Sequence, residues 1–171
     1  MGFGIKTKIK RIIATKEYVP ISHPVSTSNE FIGKVALISG GSGGIGLAIA
    51  KSLQESGCTV VIAGTNEKKL ASLKNETCLD TIVMNYSKPE SFVDVIKEVV
   101  ARHGKLDIFI SSAGVHTENV DFWKMYPDEF DRVMDINLKG VFFACWIIWR
   151  FSTANPLTRY HKSERPVPSF Q

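Results

Sequence analysis

A glycine-rich segment between a buried strand and an amphipathic helix constrains this chain more than any other feature. The segment is Ser39-Gly40-Gly41-Ser42-Gly43-Gly44-Ile45-Gly46. The stretch Val35 to Ser39 that leads into it is apolar and indicates a strand covered on both faces. The residues behind it predict a helix that stops near Gly57, with apolar positions at helical spacing: Ile45, Ala48, Ile49 and Leu53.

Two registers of a glycine motif overlap in this loop. Glycines 41, 43 and 46 fit the dinucleotide fingerprint G-x-G-x-x-G, while glycines 40, 44 and 46 fit a longer variant. A loop without Cβ atoms lets a diphosphate approach the backbone, and the free N–H groups of the following helix attract its charge. A purely structural turn is the alternative, but the placement between strand and helix favours a phosphate site.

The rest of the chain alternates apolar stretches with helix-period segments, a pattern typical of a parallel sheet with crossover helices. Further strands are predicted at 59–63, 81–84 and 106–110, and helices at 66–73, from a cap at Ser87 to a stop at Gly104, and from Pro127 through Phe142. Ser87 and Glu90 are spaced as a capping box for the third helix, with Gly104 as its stop. The predicted fold class is α/β: the N-terminal part of a Rossmann-like, doubly wound parallel sheet, with about four strands.

Charge divides the chain into three segments. Residues 1–30 carry five basic and two acidic groups, and residues 150–171 carry four and one. The middle, 31–149, has 12 basic and 14 acidic groups, so no basic stripe suited to nucleic-acid phosphates is expected there. We interpret 1–30 as a basic extension, 31–149 as an incomplete nucleotide-binding domain and 150–171, with its prolines, as an irregular tail.

Neither a metal site nor a membrane span is predicted. Cys58, Cys78 and Cys145 are widely spaced outside any C-x-x-C pattern, and the four histidines form no ligand cluster. The longest apolar stretch, 141–149, is far shorter than the ~20 residues that span a bilayer. The basic N-terminus is followed by no apolar signal region, so we expect a cytoplasmic protein.

Three motifs in order resemble those of the classical short-chain dehydrogenases/reductases. The family's T-G-x-x-x-G-I-G is matched by residues 39–46, with Ser39 in place of Thr. Its N-N-A-G is matched by Ser111-Ser112-Ala113-Gly114, and its N-x-x-G by Asn137-Leu138-Lys139-Gly140. The resemblance covers about two thirds of the chain. It implies an NAD(P)-dependent oxidoreductase that moves a hydride between nicotinamide and a small-molecule alcohol or carbonyl.

The resemblance also implies which residues line the cofactor. By the resemblance, the diphosphate would be bound by Gly40, Ser42, Gly44, Ile45 and Gly46. The ribose would be lined by Ser112, Ala113 and Gly114. Asn85 stands where the family has an Asp that reaches the adenine. After the second strand, Gly64 supplies no acid to repel a 2′-phosphate, and Thr65, Asn66 and Lys68 are able to bind one. NADP is therefore weakly favoured over NAD.

Asn137 is the candidate catalytic residue. Phe130, Met134, Asn137 and Val141 share one helix face, which the spacing predicts to be apolar except for this amide. Leaving a buried amide unpaired costs about 1–3 kcal/mol, so we expect it to be hydrogen-bonded. A satisfied core asparagine is one interpretation. In the family, the equivalent residue belongs to a catalytic tetrad and positions a water beside the catalytic Lys.

The family's catalytic Ser and its Tyr-x-x-x-Lys have no match. Downstream of Asn137 the one tyrosine is Tyr160, and Glu164 stands four residues beyond it. We therefore expect a truncated or frame-shifted member, joined after about Ala144 or Cys145 to an unrelated tail, with an unpaired edge on its fourth strand and no catalytic activity. The alternatives are a non-catalytic nucleotide-binding module, a defective fragment or a methyltransferase, the last disfavoured by Gly64. The resemblance leaves a homo-oligomer open.

Overall fold

The computed structural model describes residues 29–117 and 121–151. The interpretation of the two ends as an extension and a tail therefore falls almost wholly outside the described residues, as does Tyr160. Residues 150 and 151 continue the last helix, and a short 3₁₀ turn, Asn29–Phe31, precedes the first strand.

Four parallel strands form one sheet in the order β3-β2-β1-β4. They are β1 (Val35–Ser39), β2 (Thr59–Gly64), β3 (Asp80–Val83) and β4 (Ile108–Ser111). The predicted Rossmann-like fold class is confirmed, and each strand lies within two residues of its predicted bounds. The β1 strand is buried at all five residues because helices cover both faces of the sheet.

The helices lie in two layers. They are α1 (Gly44–Glu55), α2 (Glu67–Thr77), α3 (Phe92–His103), α4 (Pro127–Met134) and α5 (Val141–Phe151), with a π-helical segment, Asp135–Gly140, joining the last two. One core contains buried residues of α3 and α5 together with alternate residues of β1 and β2, such as Leu37 and Val61. The other contains residues of α1 and α2 and the intervening strand positions, such as Ile38 and Ile62. The alternation of the buried residues reflects the period of two along a strand.

The apolar face predicted for α1 is wrong at its first two positions. Ile45 is 76% exposed, and Ala48 is exposed as well. The buried residues of α1 are Gly46 and Ala50 instead, because the start of this helix rests directly on the glycine loop. A Cβ at Gly46 would lie 2.5 Å from the Gly40 carbonyl oxygen, which leaves no room for a side chain.

The predicted capping box at Ser87 is also wrong. The helical turn before α3 begins at Pro89, and Lys88 precedes it without a side-chain cap. The N–H of Ser87 instead donates to Asn85 Oδ1 at 2.9 Å, which closes a local Asx turn. The predicted stop of α3 is confirmed: Gly104 follows it in the left-handed region, at φ +81°.

The long helix from Pro127 is confirmed, but three of the four residues on its predicted face, Phe130, Met134 and Asn137, are exposed. The fourth, Val141, packs against the core. The buried residues of this helix are Gly140, Ala144 and Ile147. Six large apolar side chains are exposed on it, the last being the terminal Phe151. We call the other five the exposed stripe: Phe130, Met134, Leu138, Phe142 and Trp149. The core-facing side is set by Gly140, because a Cβ there would lie 2.6 Å from Tyr86 Cδ1.

Candidate functional site

The predicted site residues lie at one edge of the sheet. The glycine loop follows β1, Thr65 follows β2, Asn85 follows β3 and the segment 112–114 follows β4. All four strands are parallel, so these segments share the carboxyl end of the sheet. The chain passes from β1 to β2 and β3 on one side and then returns to β4 on the other. This arrangement places a topological switch point, the usual ligand crevice of such sheets, between β1 and β4.

The glycine loop packs directly against the segment that follows β4. Gly40 has φ +67°, and a Cβ there would lie 2.6 Å from the backbone nitrogen of Ala113. The N–H of Ser112 donates to the carbonyl of Ser39 at 3.0 Å. These contacts require glycine at position 40 and bring two of the predicted cofactor segments together at the crevice.

The start of α1 leaves backbone donors without helical partners. The first bond of its ladder runs from the Leu47 N–H to the Gly43 carbonyl at 2.8 Å. Gly43, the N-cap, has no side chain to accept a hydrogen bond. The N–H groups of Gly44, Ile45 and Gly46 therefore remain available at the positive end of a 12-residue helix. A Cβ at Gly44 would meet no atom within 4 Å, so the space beside it is open to a ligand.

Asn137 is brought to the same edge but not in the predicted environment. It is exposed in the π-helical segment rather than buried on an apolar face, because the core side of the helix runs through Gly140. Its amide is nevertheless bonded at both the oxygen and the nitrogen by one residue of the segment after β4. Oδ1 accepts the Val115 N–H at 2.8 Å, and Nδ2 donates to the Val115 carbonyl at 2.7 Å. A Cβ at Gly114 would lie 3.3 Å from Asn137 Oδ1.

The end of β2 and the start of α2 form the remaining wall. Thr65 is exposed, and Asn66 caps α2 by accepting the Lys69 N–H at 3.0 Å. The cap uses only the acceptor Oδ1 of Asn66, so its Nδ2 can still donate to a phosphate, and Lys68 is exposed in the first turn. A Cβ at Gly64 would lie 3.2 Å from Ser42 Oγ, so the absence of a side chain leaves the Ser42 hydroxyl uncrowded.

A hydroxyl network that sequence reasoning missed lies beneath the crevice. Tyr86 OH is 2.6 Å from Ser39 Oγ and 3.1 Å from Ser111 Oγ. Burial raises the pKa of Tyr86 above its usual value, although both serine contacts act to lower it. The phenol is therefore neutral and able to donate one hydrogen bond and accept another. Tyr86 resembles an ordinary core residue in sequence, and the signal that identifies it is its place after Asn85, beside two strands that both end in serine.

A metal-binding group of side chains and a membrane-spanning helix are both absent from the described ranges. No three His, Cys, Asp or Glu side chains within 29–117 and 121–151 are grouped so that they could hold a metal ion. No helix in the same ranges is both long and apolar enough to cross a bilayer.

A protein-family model matches most of the chain. The model is described as short chain dehydrogenase, and it matches residues 34–154. This range contains the whole sheet, the glycine loop, Asn137 and the long helix.

Individual relatives give the same assignment. The chain is similar to the 3-oxoacyl-[acyl-carrier-protein] reductase of Rickettsia typhi, with 40% identity over 116 residues, or 66% of this chain and 46% of the relative. It is also similar to the reductase of the same name from Thermotoga maritima, with 32% identity over 64% of this chain and 46% of the relative. The chain thus spans about half the length of the curated relatives it matches.

The chain is also similar in fold to solved structures of oxidoreductases. A 3-ketoacyl-(acyl-carrier-protein) reductase from Brucella melitensis, complexed with NADH, superposes with a TM-score of 0.66 at 26% identity, over 70% of this chain and 51% of the other. An NAD⁺-bound xylitol dehydrogenase superposes with a TM-score of 0.65 at 28% identity, over 71% of this chain and 48% of the other.

Proposed function

The chain belongs to the short-chain dehydrogenase family, and on that premise we propose that it binds a nicotinamide dinucleotide across the carboxyl ends of β1 and β4. The observation that carries this proposal is the start of α1. There, the backbone N–H groups of Gly44, Ile45 and Gly46 lack helical acceptors, and the space beside Gly44 is open. Such a helix start is suited to a diphosphate.

The surrounding residues fit the other parts of the dinucleotide. Gly40 and Ser42 shape the loop on the diphosphate side, and exposed Ile45 offers an apolar contact at its rim. Ser112, Ala113 and Gly114 would line the ribose next to nicotinamide, since they lie beside Gly40 across the crevice. Asn85 would face the adenine. Its Oδ1 is taken by Ser87, and its Nδ2 has no acceptor among the described residues.

We further propose a weak preference for NADP over NAD. No carboxylate stands at Gly64 to bind the 2′-hydroxyl or repel a phosphate, while Thr65 and Lys68 are exposed nearby. Replacing Lys68 with Gln should weaken NADPH binding and leave NADH binding unchanged in calorimetric titrations. Equal losses for the two dinucleotides would contradict a contact with the 2′-phosphate.

For the reaction, we propose hydride exchange between the bound nicotinamide and an alcohol or carbonyl. The nicotinamide supplies or accepts the hydride, and the protein holds it in place. Asn137 would act as a member of the catalytic group, with its amide held by Val115. The reductase names of the relatives describe the same class of reaction.

We also propose that the 171-residue polypeptide by itself binds the dinucleotide without catalysing this reaction. None of its tyrosines is followed by a lysine four residues later. A free tyrosine titrates near pH ~10 and needs a neighbouring cation to act as an acid–base group at neutral pH. Oxidation of NADPH by the purified polypeptide with a panel of carbonyl substrates, above the rate of a mock purification, would overturn this part of the proposal.

Two glycine variants test the site itself. Gly44→Ala places a methyl group in space that is empty of protein atoms, so the melting temperature should stay unchanged while dinucleotide affinity falls at least about tenfold. Gly46→Ala is the matched control, since its Cβ would press on the Gly40 carbonyl and should lower both stability and affinity. Unchanged affinity in the folded Gly44→Ala protein would overturn the diphosphate site.

The match to the dehydrogenase family excludes the methyltransferase alternative. For location, we propose a reducing compartment such as the cytoplasm, because Cys58, Cys78 and Cys145 are all free thiols.

A further inference from the structure

We propose that Tyr86 is a positioning residue, whose hydroxyl holds the glycine loop after β1 in register with the segment that follows β4. The proposal extends the proposed dinucleotide site, and it rests on that function for its effect on affinity. The residue itself need not touch the ligand. Its hydroxyl lies beneath the crevice, where it bonds the last residue of each of the two strands.

The first observation is the register of the strands. Ser39 and Ser111 are directly paired residues of β1 and β4, and each is the last residue of its strand. Tyr86 OH bridges the two hydroxyls, at 2.6 Å and 3.1 Å. The residues that come next, Gly40 and Ser112, begin the two segments proposed to hold the diphosphate and the ribose.

The second observation is that the Ser39 hydroxyl has no other short hydrogen bond among the described residues that could replace this bridge. Ser39 is 1% exposed, so water does not replace a lost partner. Its other contact, to the Ile110 carbonyl, is long at 3.5 Å. A buried hydroxyl without a good partner is costly, so the bridging phenol satisfies Ser39 and ties it to β4.

The third observation is that Tyr86 is itself rigidly held. It is 4% exposed, and its ring packs edge-on against Phe92 with centroids 5.4 Å apart. Gly140 of the π-helical segment lies so close that a Cβ there would be 2.9 Å from the Tyr86 carbonyl oxygen. The phenol oxygen is therefore a fixed point, set by α3 and the long helix, from which two loops are aligned. A prearranged site binds more tightly because less ordering is needed when the ligand arrives.

The test compares Tyr86→Phe, which keeps the ring and removes the hydroxyl, with Tyr126→Phe. The control makes the same chemical change at a residue that is 75% exposed and outside the site. Amide hydrogen exchange is measured without nucleotide at two hydrogen-bonded N–H groups, one on each side of the crevice: Gly41 and Ser112. Exchange at both should become about fivefold faster in Tyr86→Phe, the size expected from one lost hydrogen bond, and stay unchanged in Tyr126→Phe.

A second variant and a stability control separate positioning from general destabilisation. Ser111→Ala removes the exposed end of the bridge, so it should speed exchange at Ser112 in the same direction. Val99→Ala shortens a fully buried side chain of α3, so it should lower the melting temperature. It should not selectively change the exchange rates of the Gly41 and Ser112 amides. In titrations with NADPH, Tyr86→Phe should raise Kd about fivefold, whereas the folded Val99→Ala protein should keep the wild-type Kd.

Each outcome is decisive. Unchanged exchange in Tyr86→Phe, an equal change in Val99→Ala, or faster exchange with an unchanged Kd would overturn the positioning role. Failure of the wild-type chain to bind either NADPH or NADH would overturn the proposed function instead. In that case, the exchange arm still decides whether the hydroxyl aligns the two loops.

Discussion

Two regions of the molecule bury their apolar residues to different extents. The first is the sheet with its first three helices, and the second is the long helix that follows them. In the first region, Phe92, Leu37, Ile62 and Leu79 are almost completely buried. In the second, Phe142 is 61% exposed and Leu138 is 59% exposed. The first region is thus stabilised by contacts within itself, while the long helix contributes through one face, around Gly140 and Ala144.

The largest expected effect tests the buried side of this comparison. Phe92→Ala removes a ring that is 0% exposed and packs on Tyr86, so it should lower the free energy of unfolding by about 3–5 kcal/mol. Urea denaturation followed by circular dichroism measures the change. A loss below about 1 kcal/mol would mean that this core is looser than the structure shows.

An intermediate effect is expected from Asp80, which opens β3 at the opposite end of the sheet from the crevice. Burial acts to raise the pKa of Asp80, but it is outweighed by hydrogen bonds from the Thr81 N–H, from His103 and from Arg102, so the pKa falls to about 2. The carboxylate is lower in pKa when folded than when unfolded. Its contribution of about 2 kcal/mol is therefore complete above about pH 5 and is lost as the pH falls towards 2.

Acid unfolding measures that contribution. Asp80→Asn should be less stable than the wild type at neutral pH, and the difference should shrink as the pH falls from about 5 to about 2. Asp94→Asn is the matched control, because Asp94 lies on the surface of α3 with its side chain 83% exposed. Parallel pH curves for the wild type and Asp80→Asn would show that the contacts of Asp80 with His103 and Arg102 do not stabilise the fold.

The smallest effect is expected on the exposed stripe. Phe142→Ala makes the same change as Phe92→Ala on a side chain that is mostly exposed, so the free energy of unfolding should change by no more than about 0.5 kcal/mol. The same urea experiment measures it. A loss as large as that of Phe92→Ala would abolish the distinction between the two regions.

The two central strands could be predicted from sequence because they are nearly continuous apolar stretches bounded by glycine or polar residues. Val35 to Ser39 and the region of 59–63 needed no tertiary information, since a strand buried on both faces is apolar throughout. The helix faces were less predictable. The spacing rule places the largest side chains in the core, whereas Gly46 and Gly140 bring two helices against the backbone, and they turn Ile45 and Phe130 outward.

The glycine loop and the segment 112–114 could be found as motifs, because close backbone approach requires particular residue types at fixed spacing. The environment of Asn137 could not be predicted, since its exposure follows from which side of the helix meets the sheet. The role of Tyr86 could not be predicted from the sequence for a related reason. Its partners, Ser39 and Ser111, become neighbours only through the pairing of β1 with β4 across 72 residues of sequence separation.

The π-helical segment 135–140 has a consequence for the geometry of the exposed stripe. Four residues carry an α-helix about 40° beyond a full turn, so side chains repeating every four residues wind slowly around it. The wider i→i+5 turn uses more residues per revolution, and the step from Met134 to Leu138 lies within it and counteracts that winding. The exposed side chains from Phe130 to Phe142, which recur every four residues, therefore stay closer to one side of the helix than they would on a regular α-helix.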